Sequence, residues 1–133
     1  MLNERELQLF KRMMPFDRAH SLEVFRRVRE IAPTNQALQT AALLHDVGKG
    51  KPRLSHRVAL VLAQSFGFDL SRWRQAPART FRGSVYNLAN HAEVGARFLE
   101  AAGSDPRVVA IVRGGNSTTM DDAELLTNVD ARC

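Results

Sequence analysis

The chain has one cysteine, Cys133, in 133 residues. That excludes an intrachain disulfide and any cysteine-based zinc site. No apolar run approaches the length needed to span a bilayer, so no membrane partner is expected. The opening residues, MLNERELQLFKRMMPF, carry charges throughout and lack an apolar block followed by small residues. Neither a signal peptide nor an anchor is expected there, and a cytoplasmic location is the default. Repeats, low-complexity tracts and long linkers are missing too. The length suits one core, so a single domain over residues 1–133 is expected. No alternating pattern of the kind a half-buried strand needs is found either.

What is there is ordinary globular material: 44% hydrophobic and 25% charged residues. Lys plus Arg number 19 against 14 Asp plus Glu, a net charge of +5. Excess positive charge favours anionic partners such as nucleotides, other phosphorylated metabolites or nucleic acid. The arginines are scattered, and no nucleic-acid motif is recognisable. Nucleic acid through the basic 49–57 and 72–82 segments therefore ranks last among the partners.

Helical periodicity runs along most of the chain and predicts an all-α, compact bundle of six or seven helices. A leading helix covers 3–14. A second follows Pro15, with Leu22, Phe25 and Val28 on one stripe and Asp17 as its N-cap. A third begins at Thr34 or Asn35 and ends at His45-Asp46, where Gly48 supplies the C-terminal turn. Ser55 caps a helix through Phe66. Residues 67–83 read as a basic, irregular connection whose Trp73 plugs the core. A further helix starts at Ser84 or Asn90 and ends at Gly103. Pro106 opens another, through Arg113, and the last begins near Asp121.

The stretch AALLHDVGKG, residues 41–50, raises a physical question. His45 follows Leu38, Ala41 and Ala42 on an apolar stripe, where a histidine is more often a bonded core residue than a ligand. Asp46 beside it is opposed by the helix dipole and by the unpaired carbonyls of the last turn. Lys49 offsets that charge weakly through solvent. A divalent ion held by both His45 and Asp46 would offset it strongly. Imidazole with carboxylate suits Zn, Mn, Fe, Co or Ni. His20 at the edge of its helix's stripe, His91 at a helix start, and Asp130 after Val129 complete a metal-competent set. Read singly, each has a plainer role: a surface histidine, a first-turn histidine, a solvated acid. His56 reads as a solvent-facing first-turn residue.

The ordered set His20, His45-Asp46 and Asp130 resembles the HD superfamily of metal-dependent phosphohydrolases over about residues 16–130. LLHDVGKG is similar to the family's central motif, DRAHSLEV supplies the first histidine and LTNVDA the closing aspartate. The resemblance implies an all-helical fold and a divalent metal (Mn, Co, Ni, Fe, Zn or Mg) on His20, His45, Asp46 and Asp130. It implies hydrolysis of a phosphoester of a nucleotide or another small phosphorylated metabolite. Asp46 would orient the attacking water or take its proton, and Lys49 and Arg53 would pair with phosphate oxygens. NHAEVGARFLEAAG also resembles a helix of the HD-GYP-like branch, in which the histidine, here His91, helps bind a second metal. That branch adds histidines where this chain reads AIVRGGNSTT, and its glycine-tyrosine-proline motif is missing here. This implies a single-metal site, or a second site too weak to hold metal unaided. The alternative is a catalytically degraded HD-domain protein that binds a nucleotide or a protein partner in regulation. Oligomeric state is not readable from the sequence.

Overall fold

A computed structural model describes residues 1–51 and 54–133. Among the described residues there are eight α-helices and no strand. They are α1 (Glu4–Arg12), α2 (Pro15–Ile31), α3 (Gln36–Leu44), α4 (Leu54–Ser65), α5 (Phe81–Ala89), α6 (His91–Ala101), α7 (Pro106–Arg113) and α8 (Met120–Asp130). None is long and apolar enough to cross a membrane.

The helix beyond the expected seven comes from a break at Asn90. Its amide and its side-chain Nδ2 both donate to the Tyr86 carbonyl, closing the last turn of α5, and α6 starts afresh at His91. Helix α5 begins earlier than Ser84 because the Thr80 hydroxyl accepts the Gly83 amide as its N-cap bond. A second correction concerns Asp17. Pro15 takes the first position of α2, so Asp17 falls inside the first turn, 2% exposed, and Met14 occupies the cap. A fixed proline φ opens a helix without wasting an amide, and the dipole still favours a carboxylate one turn in.

Helix α3 is the axle of the fold. Residues 38–44 are all buried, the mark of a helix packed on every side. It contacts α1, α2, α7 and α8. Val24 and Val28 of α2, Leu38 and Leu44 of α3, Leu99 of α6, Ile111 of α7 and Leu126 of α8 share one apolar cluster. Each such side chain contributes about 1.5–3 kcal/mol on burial. Polar bonds set the order of the helices around that cluster. Gln39 Nε2 donates to the Ala32 and Pro33 carbonyls, fixing the turn between α2 and α3. Asn35 caps α3 by accepting the Leu38 amide, and its Nδ2 donates to Asp122 on α8 at 3.0 Å.

Trp73, expected to plug the core, lies elsewhere. It packs on Phe68 and Phe81, with ring centroids 5.3 and 6.2 Å away. These rings belong to the α4–α5 side of the molecule, where Val85 and Leu88 are buried apart from the main cluster.

Candidate metal centre

The α2–α3 hairpin sets the first pairing. The two helices are antiparallel, so His20 near the start of α2 lies level with His45 at the end of α3. Their ring centroids are 5.8 Å apart. Helix α8 runs beside α3 in the same direction. Asp122 in its first turn meets Asn35 at the start of α3, and Asp130 at its end meets His45. The fold thus gathers residues separated by more than a hundred positions at one end of the axle.

His91 arrives by a different device. After Asp46 the chain makes a short 3₁₀ turn, Val47–Lys49. Gly48 was expected to provide a left-handed helix stop, but Gly50 carries the positive φ, 68°. Gly48 is glycine because α6 lies on it: a Cβ there would collide with the His91 carbonyl and the Gly95 amide. A Cβ on Gly95 would in turn stand 3.2 Å from Gly48 N. Two glycines in contact let the first turn of α6 approach, and His91 comes with it.

Asp46 is at the centre, its side chain 1% exposed. Its Oδ1 lies 3.5 Å from His45 Nε2 and 3.6 Å from His91 Nε2. Lys49 Nζ donates to Oδ2 at 2.8 Å, a direct contact in place of the weak solvent-mediated one expected. Asp130 Oδ1 is 2.6 Å from His20 Nε2 and 3.2 Å from His45 Nε2. His20, His45 and Asp46 each present a ligand atom within 4.8 Å of the others, the one such cluster among the described residues. Asp130 touches two of the three; His91 is reached through Asp46. Arg53 lies outside the described residues.

Two backbone bonds fix the imidazoles. His45 Nδ1–H donates to the Ala42 carbonyl at 2.8 Å, and His91 Nδ1–H donates to the Leu88 carbonyl at 3.2 Å. Both rings therefore turn Nε2 toward Asp46. Metal-ligating histidines are oriented in this way, with the other ring nitrogen held on a carbonyl or carboxylate.

His45 and Asp130 favour each other's charged forms. Burial pushes the His45 pKa down, but the hydrogen bond to Asp130 and the charge of Asp46 outweigh it and raise it above the ordinary 6.5. The same bond to His45, with a second to His20, holds the Asp130 carboxyl far below the usual carboxylate range. A buried carboxylate at a helix C-terminus, facing two Nε2 atoms and one lysine, fits a divalent ion. The residues supply the charge and the mixed nitrogen and oxygen donors that Mn, Fe, Co, Ni or Zn accept.

One cavity opens on the cluster and another adjoins Lys49. The first, of about 150 Å³, is lined by His45, His91, Gly114, Thr127 and Asp130. The position where histidines are missing thus faces the site, and Gly114 offers it no ligand atom. A larger cleft of about 640 Å³, which reaches the cluster only through Lys49, opens among Lys49, Lys51, His56, Arg79, Ser84 and Asn87. His56, expected to face solvent, is half-buried there, its Nδ1 2.8 Å from Ser84 Oγ. Lys51 and Arg79 belong to the two basic segments visible in the sequence, 49–57 and 72–82, but no periodicity links them, so their meeting in one cleft was not legible. The Thr80 cap, which starts α5 beside them, was the available signal.

An all-helical scaffold gathering His, His-Asp and Asp at one end has the architecture of metal-dependent phosphohydrolases. The family model described as HD domain matches residues 18–128, and the chain belongs to that family. The match contains His20, His45, Asp46 and His91 and ends two residues before Asp130, whose place rests on the geometry alone. Neither a curated protein nor a solved structure matches the chain.

Proposed function

We propose that the chain is an active hydrolase of a small phosphate ester, a nucleotide being the preferred class, with its metal on His20, His45, Asp46 and Asp130. The observation that carries this reading is Asp46. Its carboxylate is withdrawn from water and ringed by Lys49 and two imidazoles oriented by backbone bonds. A divalent ion supplies Lewis acidity there and lowers the pKa of a water. The chain's own residues do the rest. Asp46 holds the attacking water and accepts its proton. Lys49 already stands at Asp46 and turns to a phosphate oxygen when the substrate enters. His91, bonded to Leu88, keeps the far side of Asp46 polar and would be the residue to assist a second ion of lower affinity. Arg53 follows this turn and would add a bidentate phosphate contact.

The regulatory alternative rests on Gly114, which leaves the small cavity without the ligands a complete second-metal centre would have. Metal analysis of protein purified without chelators, followed by a phosphatase screen with Mn, Co, Ni and Mg, separates the two. Bound metal and ester turnover, both lost in His45→Ala and Asp46→Ala, are expected. Metal without turnover on any nucleotide or generic ester favours the regulator. Unaltered metal content in both variants sinks the metal-site reading.

A further inference from the structure

The α4–α5 cleft has no part in the reading above beyond the lysine it shares with the metal cluster. Its described lining holds Lys49, Lys51, Arg79 and His56, with Ser84 and Asn87 as neutral hydrogen-bonding groups. No carboxylate is among these residues. Lys51 and Arg79 meet no carboxylate among the described residues, so neither charge is offset where it lines the cleft. Like charges converging on a concave surface raise the local potential and attract an anion. The first turns of α4 and α5 also line the cleft, through His56 and Ser84, adding the positive ends of two helix dipoles. Phe81, 46% exposed and edge-on to His56 at 5.1 Å, puts an aromatic face at the rim.

Lys49 connects the two places. Its Nζ bonds Asp46, and the same side chain lines the cleft. A phosphate held at the metal cluster would therefore have the cleft as its continuation. We infer that this cleft is a second phosphate subsite, built by Lys51, Arg79 and His56, so that the substrate carries two phosphates or more. Phe81 then offers its ring to an attached base, as stacking platforms do. The assignment of the cleft to substrate rests on the phosphohydrolase reading, but its affinity for a diphosphate group does not.

Calorimetric titration of the full chain with inorganic pyrophosphate and with orthophosphate tests it, as purified and again after chelator treatment and dialysis. The expected result is tighter binding of pyrophosphate than of orthophosphate in metal-free protein. Arg79→Ala and Lys51→Ala should each weaken it at least tenfold. Arg26→Ala, which removes one exposed charge from α2, should bind as the wild type does. Failure of pyrophosphate to bind metal-free protein overturns the subsite. Equal weakening by Arg26→Ala also overturns it, since net charge would then be the cause, and so does normal binding by both cleft variants. If the cleft variants behave as expected while no ester is turned over with any metal, the subsite stands and the hydrolase reading falls.

Discussion

Lys49 Nζ lies 2.8 Å from Asp46 Oδ2, and that carboxylate is 1% exposed. The lysine is the one lysine or arginine side chain bonded to Asp46 among the described residues. Replacing it with Met leaves a buried carboxylate at a helix end without its counter-charge, which costs about 1–3 kcal/mol. A divalent ion restores the charge balance. Lys49→Met is therefore expected to melt lower than the wild type when metal-free and to gain more from Mn or Co. Thermal melts with and without metal check this; an unchanged metal-free melting temperature would mean that the contact stabilises nothing, and equal metal-induced shifts that the ion does not replace the lysine's charge.

The contact between Gly48 and α6 makes a second prediction. Gly48→Ala must push backbone against backbone, and overpacking of this kind costs about 1–3 kcal/mol. Gly50→Ala meets open space but a positive φ with ψ −140°, a region that is almost glycine's alone, and costs a similar ~1–3 kcal/mol. Stability alone will not distinguish them. Metal affinity will: Gly48→Ala displaces His91 and Asp46 and should weaken it, whereas Gly50→Ala should leave it near the wild-type value.

Much of this site was legible in the sequence, for definite physical reasons. An aspartate at a helix C-terminus is an electrostatic anomaly visible without coordinates, and it pointed to Asp46. Apolar periodicity located the helices carrying His20 and Asp130, though not that α3 is buried on all sides. What failed was reasoning about close approach. Gly48 reads as a turn glycine from its neighbours, because only the position of α6, far along the chain, makes a Cβ impossible there. Asp17 reads as a cap until the proline two residues earlier claims the helix start. His56 reads as solvent-facing because Ser84 and Phe81, its neighbours in space, belong to a helix that starts at Phe81, earlier than its sequence suggests.

In metal-free protein the stability should depend on pH from both sides. The folded pKa of His45 is raised above 6.5, so its contribution is complete below that value and lost as pH rises through the folded pKa. The folded pKa of Asp130 is depressed below 3.8, so its contribution is present above that value and lost as pH falls through the folded pKa. The melting temperature should be highest between about pH 4 and 6.5. His45→Ala and Asp130→Asn should flatten the profile, which a set of melts across buffers will establish.

Asp17 and Arg57 make a weaker pair than burial would ask for. The carboxylate is 3% exposed, its Oδ2 accepts no hydrogen bond among the described residues, and Arg57 Nη2 is 3.8 Å away. Removing the arginine should cost about 1–3 kcal/mol, since it leaves a charge in the interior. Removing the carboxylate, as Asp17→Asn, should cost less or stabilise. Urea melts of the two single variants and the double variant will give the coupling. If Arg57→Ala is as costly in the Asp17→Asn background, the arginine acts through something other than the Asp17 charge.

Helix α8 is pinned to α3 at both ends, by Asn35 with Asp122 and by His45 with Asp130. Apolar packing between two helices tolerates sliding, and a slip of one turn would carry Asp130 about 5.4 Å away from the histidines. The amide at the far end acts as an index mark for the chemistry. Although Asn35 is about 15 Å along the helix from His45, its substitution by Ala would detune the site without touching a ligand. The exactness of the candidate site is set partly from the opposite pole of the molecule.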